Sequence, residues 1–145
     1  CRRPENGRGR LHPAGLGAMS LANVFAYSEP VWARFAAPEG VGALEGDTVR
    51  HVDVRSPASR ARLRLWVRLQ AGCIAETRFQ ALGCPVTLAV GQWLTEVLPG
   101  RRIDDLRGDW GAVCRAALEI GDDKAHCWVM ADDVVAALGR TAQDE

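Results

Sequence analysis

Two short stretches of this sequence carry side chains able to bind metal or attack sulfur. In Leu82-Gly83-Cys84-Pro85-Val86 a thiol stands where an extended pattern gives way to a helical one. A thiol at a helix N-terminus meets the positive end of the dipole and unpaired backbone N–H groups. Both favour thiolate, the form that ligates metal and acts as a nucleophile. Pro85 fits the first helical position without loss of a hydrogen bond. The same pattern also describes a small cysteine buried at a tight junction. The second stretch is His126-Cys127, near the start of the last helical segment, behind Asp122-Asp123-Lys124. Adjacent helical residues point about 100° apart, so both reach one metal only near a helix end. Imidazole and thiolate suit zinc or iron, although an adjacent His-Cys also arises by chance placement.

Other residue types offer less. Cys73 begins an extended segment beside a turn, and Cys114 sits among alanines in a helical one, so both read as packing residues. Cys1 belongs to an irregular start, and His12 and His51 have no partner at a recognisable spacing. There is no glycine-rich phosphate loop, no G-x-S-x-G and no H-E-x-x-H. Asp104-Asp105 and Asp132-Asp133 suit helix caps and solvated faces better than acid–base dyads. A thiol enzyme using Cys84 or Cys127 with His126 as base is a third reading, after a full metal-holding site and a metal-binding or protein-interaction module with a partial one. The odd cysteine count, five, and the lack of a hydrophobic signal segment suit a reduced, cytoplasmic protein better than a disulfide framework.

The elements that would hold these side chains follow from periodicity. Ser28, Glu29 and Pro30 suit the start of a helix carrying Val31, Trp32 and Phe35, and Pro38 and Gly40 end it. Val52 and Val54 alternate with polar neighbours in a short strand. In Arg62–Gln70, Leu63, Leu65, Val67 and Leu69 take one face, while Arg62, Arg64, Trp66, Arg68 and Gln70 take the other. That strict period of two predicts an antiparallel strand covered on one side. Ala71-Gly72 turns into a second strand, Cys73–Leu82, with Ala75, Thr77, Phe79 and Ala81 on a shared face. Beyond Gly83 the period becomes helical: Val86, Ala89, Val90, Trp93, Leu94 and Val97 precede Leu98-Pro99-Gly100. Asp104–Leu106 suggests a helical turn. Asp109 opens a helix closed by Gly121, and Asp122 or Asp123 caps the last one. Strands first and helices last predict an α+β fold, a three-stranded antiparallel sheet with helices packed on one face.

The 145 residues fit one domain, and 48% hydrophobic with 25% charged residues excludes a disordered chain. Apolar runs fall short of the roughly 20 residues that span a membrane. Eighteen basic residues, 17 of them arginine, balance 18 acidic ones, which argues against a general nucleic-acid binder. Residues 1–20 hold four arginines among glycines and prolines without an amphipathic face. They read as a disordered leader or a cloning remnant, with Met19-Ser20 a possible true start and residues 21–140 the folded domain.

The order of these pieces resembles the IscU/NifU N-terminal family of iron–sulfur cluster scaffolds. Tyr27-Ser28-Glu29 and Phe35-Ala36-Ala37-Pro38-Glu39-Gly40-Val41-Gly42 are similar to the family's Y-S-E and N-P-x-N-V-G. Phe79-Gln80-Ala81-Leu82-Gly83-Cys84 is similar to F-x-x-x-G-C, and Leu94-Thr95-Glu96 with Gly100 to its helix and closing glycine. Lys124-Ala125-His126-Cys127, with Ala131-Asp132-Asp133 behind, is similar to K-I-H-C-S-x-L-A-E-D-A. The resemblance implies Cys84, His126 and Cys127 as ligands of a two-iron cluster or of a single iron or zinc ion. It also implies Cys127 as an acceptor of sulfur from a cysteine desulfurase, with apo iron–sulfur proteins as recipients and a monomer or weak homo-oligomer, not an enzyme. The departures are as specific. Where the family reads A-C-G-D, this chain has Ala58-Ser59-Arg60-Ala61, so Ser59 is at most a weak fourth donor and the aspartate is gone. Of L-P-P-V-K only Lys124 remains, which removes most of what an Hsp70-type chaperone reads in the family. Arg60 adds positive charge beside the site or stands as a solvated loop arginine.

Overall fold

The computed structural model describes residues 27–57 and 59–143. The expectations placed on residues 1–20, including Cys1, His12 and the start at Met19, lie outside them. Helix α1 spans Glu29–Ala36. Ser28 caps it, accepting from the Val31 amide at 3.3 Å and donating to the Leu118 carbonyl at 2.5 Å, so one hydroxyl starts one helix and ties it to the end of another.

Three strands follow, β1 (Val49–Arg55), β2 (Arg62–Gln70) and β3 (Cys73–Leu82), in the order β1-β2-β3 with both pairs antiparallel. Leu63, Leu65 and Val67 are fully buried, as the alternation of β2 requires. On the opposite face His51 stacks on its cross-strand partner Trp66 with ring centroids 4.6 Å apart, and Asp53 pairs with Arg62. Ala71 and Gly72, both at positive φ, make the two-residue hairpin turn. One expected face is corrected here. The ladder slips between Arg68 and Leu69, pairing Arg68 with Glu76 but Leu69 with Ile74. Ala75 becomes the extra residue of a bulge, so Ile74 rather than Ala75 enters the core beside Thr77 and Phe79.

Helices α2 (Pro85–Val97), α3 (Trp110–Leu118) and α4 (Ala125–Gln143) complete the fold. One cluster joins Leu65 and Phe79 of the sheet to Val90 and Leu94 of α2, Cys114 and Leu118 of α3, and Met130 and Val134 of α4. The helices therefore cover the apolar face and leave the arginine-bearing face to water. Two boundaries differ from expectation. Asp104–Leu106 is not helical; the chain turns there with the Asp105 amide bonded to the Arg102 carbonyl. Helix α3 ends at Leu118 because Glu119 takes the left-handed conformation, and Gly121 instead leads into a 3₁₀ turn, Asp122–Lys124, that runs into α4. Asp122, expected as a cap, pairs with Arg115 at 2.6 Å. Among the described residues no helix is long and apolar enough to cross a membrane.

Candidate metal centre

The site forms where β3 ends. Gly83 sits at φ +145°, a conformation side chains rarely adopt, and a Cβ there would lie 2.8 Å from Thr87 Oγ1 and 3.2 Å from the Ala61 Cβ. Glycine therefore lets the strand turn sharply, and Cys84 becomes the N-cap of α2 with Pro85 at the first helical position. From the other side, the 3₁₀ turn delivers His126 and Cys127 within the first turn of α4. The ligand atoms of Cys84, His126 and Cys127 all lie within 4.8 Å of one another. Chain segments more than 40 residues apart thus meet at one place, the two sulfurs at 3.9 Å. Cys127 is fully buried, while Cys84 and His126 are half-buried and open to a ligand.

Electrostatics favour a single negative charge on this pair. Cys84 is pulled down to about 4, chiefly because the Cys127 thiol donates to it. Desolvation opposes that pull, and the Thr87 and Val86 amides and the Thr87 hydroxyl assist it. No first-turn amide makes a full capping bond to the sulfur, yet both favour the anion. Cys127 is pushed far above its ordinary range by its bond to the Cys84 sulfur and by burial. The two thiols act as a unit holding one proton on Cys127. A metal cation placed between them would displace that proton.

The remaining sequence candidates separate cleanly. Cys114 is buried in the core, its thiol pushed up to about 12 by desolvation, and is a packing residue. Cys73, expected as a packing residue, is half-buried at the start of β3. Ser59 stays within its own loop: its hydroxyl accepts from the Ala61 amide at 3.1 Å. Arg60 is exposed, and Ala61 is 5% exposed. Sequence reasoning passed over Thr87, whose hydroxyl lies 3.5 Å from Cys127 Sγ and 3.8 Å from Cys84 Sγ. Its signal was available, since it stands three residues after Cys84, one helical turn away.

The sequence model of the NifU-like N terminal domain matches residues 26–140. The chain belongs to that family. Among curated relatives, the iron–sulfur cluster assembly scaffold protein IscU of Escherichia coli (strain K12) is 28% identical over 115 residues, 77% of this chain and 90% of the relative. The scaffold protein of the same name from Azotobacter vinelandii is 28% identical over 118 residues, 79% and 92% of the two chains. A crystal structure of a nitrogen-fixing NifU-like protein (N-terminal) from Brucella abortus superposes with a TM-score of 0.52 at 16% identity, covering 77% of this chain and 82% of that one. That likeness establishes the shared fold. Within this NifU-like domain the glycine before Cys84 is open to test. Gly83→Ala forces a strained φ and a clash with Thr87, and is expected to cost about 1–3 kcal/mol while displacing Cys84. Urea unfolding together with metal titration reads both effects; unchanged stability and affinity would refute the strain argument.

Proposed function

We propose that this NifU-like domain is a divergent iron–sulfur assembly scaffold. In this reading Cys84, His126 and Cys127 hold iron or a nascent cluster, and the domain accepts sulfur from a cysteine desulfurase. The observation that carries the reading is the convergence of two sulfurs and one imidazole within 4.8 Å at the junction of β3 with α2 and α4. Soft thiolate and borderline imidazole donors suit iron and zinc rather than magnesium or calcium. The relatives named as iron–sulfur cluster assembly scaffolds cover most of this chain, which supports the same class of cargo here. Leu82, 65% exposed and two residues from Cys84, gives a protein partner an apolar contact beside the site.

A specific observation favours a second reading, a module that binds one metal ion. A two-iron cluster wants four protein donors, mostly thiolates. Here Ser59 and Ala61 occupy the loop beside Gly83, and the serine hydroxyl is hardly ionised near neutral pH. Three protein donors with water or a partner's thiolate in the fourth position suffice for a single zinc or iron ion.

Anaerobic reconstitution with iron and sulfide separates the two. A scaffold develops sulfur-to-iron charge-transfer absorption, with acid-labile sulfide matching iron, and Cys84→Ala abolishes both. A colourless protein that retains one zinc per chain, again lost in Cys84→Ala, selects the second reading. Colour that persists undiminished in Cys84→Ala would remove Cys84 from the site.

A further inference from the structure

Thr87 is 1% exposed, and its hydroxyl has two hydrogen-bond partners among the described residues, the sulfurs of Cys84 at 3.8 Å and Cys127 at 3.5 Å. A buried hydroxyl ordinarily has a partner, and a helical threonine ordinarily donates to a carbonyl of the preceding turn. Thr87 is the third residue of α2, so no preceding helical turn exists. The Cys84 carbonyl already accepts from the Thr87 and Leu88 amides. The space on its other side is closed by Gly83, where a Cβ would lie 2.8 Å from the hydroxyl oxygen. The hydroxyl is thus wedged against the two thiols by the same turn that presents Cys84.

We propose that Thr87 is a positioning residue of the metal site, its buried hydroxyl donating its one proton to a ligating thiolate, that of Cys127 or of Cys84, when they bind a metal ion. This rests on the metal-binding reading above. A ligating thiolate has only lone pairs to offer, so the direction of the bond is fixed: Thr87 donates its single proton and a sulfur accepts, Cys127 lying nearer at 3.5 Å than Cys84 at 3.8 Å. Hydrogen bonds to ligating sulfur withdraw electron density from the metal–sulfur bond, lower the energy of the filled sulfur orbitals and hold the ligand in its binding orientation. Valine matches threonine in shape but lacks the donor, and serine keeps the donor without the methyl group.

The test is titration of the purified chain with cobalt(II), whose thiolate charge-transfer band reports the sulfur directly. Wild type is expected to develop that band. In Thr87→Val it moves to lower energy and affinity falls about 10-fold or more, within the range typical of lost outer-shell partners, while Thr87→Ser keeps the wild-type band position. Thr87→Ala, which introduces no new bulk, repeats the valine shift if the valine variant fails to fold. An unchanged band and affinity in the valine or alanine variant overturns the role of Thr87 alone. Equal shifts in the serine and valine variants assign the effect to packing and overturn it as well. A wild-type chain that shows no thiolate band refutes the metal site itself.

Discussion

Ser59→Cys combined with Ala61→Asp is expected to change cluster retention more than any other substitution in this chain. The β1–β2 loop already lies against the site: the Ala61 Cβ is 3.2 Å from where a Cβ on Gly83 would stand. New donors at 59 and 61 therefore enter beside Cys84 without rebuilding the fold. A thiolate replaces a hydroxyl that now turns inward to the Ala61 amide, and a carboxylate replaces a methyl group. The expected gain is on the order of 100-fold in iron affinity, ~2.7 kcal/mol, together with slower loss of cluster to a chelator. The cost appears in the metal-free protein. Ala61 is 5% exposed, so an aspartate there buries a charge without a partner and destabilises the apo form by about 1–3 kcal/mol. Thermal unfolding with and without metal should then show a larger metal-dependent rise in Tm than in wild type. Retention equal to or weaker than wild type would mean that the loop does not face the site.

That expectation depends on a fold largely legible in the sequence. The alternation of Leu63, Leu65 and Val67 against Arg62, Arg64 and Trp66 specified β2 and its buried face, because a slip of one residue would bury arginines. Ser28 and Asp109 were readable as caps because each stands before an apolar helical pattern, and both accept from amides three residues on. What escaped was decided by tertiary packing. Ala75 and Ile74 exchange faces through a bulge in the β2–β3 ladder, and no local residue announces it. Helix α3 stops at Glu119, a residue with no intrinsic preference for the left-handed conformation, while Gly121 further on looked the better terminator. The site divides in the same way. Cys84 carried a local signal, a thiol between a glycine and a proline at a change of period. His126-Cys127 had no comparable one, since its value lies in proximity to a thiol 43 residues earlier. Thr87 stands one helical turn after Cys84, a spacing that gains its meaning only once both sulfurs lie beside the hydroxyl.

The shared proton gives the second large effect, the pH profile of alkylation. A free thiol with the ordinary value near 8.5 is only about 0.3% thiolate at pH 6, so its reaction with iodoacetamide rises roughly tenfold per pH unit up to pH 8. Cys84, held down to about 4 chiefly by the Cys127 thiol, is already ionised across that window. Its alkylation in the metal-free protein is expected to vary by less than about twofold between pH 6 and 8, although a thiolate of such low basicity is intrinsically a weaker nucleophile. Removing the donor in Cys127→Ala takes away the largest cause of the shift, so the profile should steepen toward that of a free thiol. Stability follows with the sign that linkage dictates. The folded state has released the Cys84 proton where the unfolded chain still holds it, so the contribution of Cys84 grows as pH rises from the folded value toward the ordinary one, and is lost as pH falls toward about 4. Above the unfolded value the trend reverses, because the unfolded chain then frees both thiol protons while Cys127, pushed upward, keeps its own. Mass spectrometry of the alkylated peptides separates Cys84 from Cys127 and Cys114. A steep profile for Cys84 in wild type would mean that the two sulfurs do not share a proton, and the pairing at 3.9 Å would lose its chemical meaning.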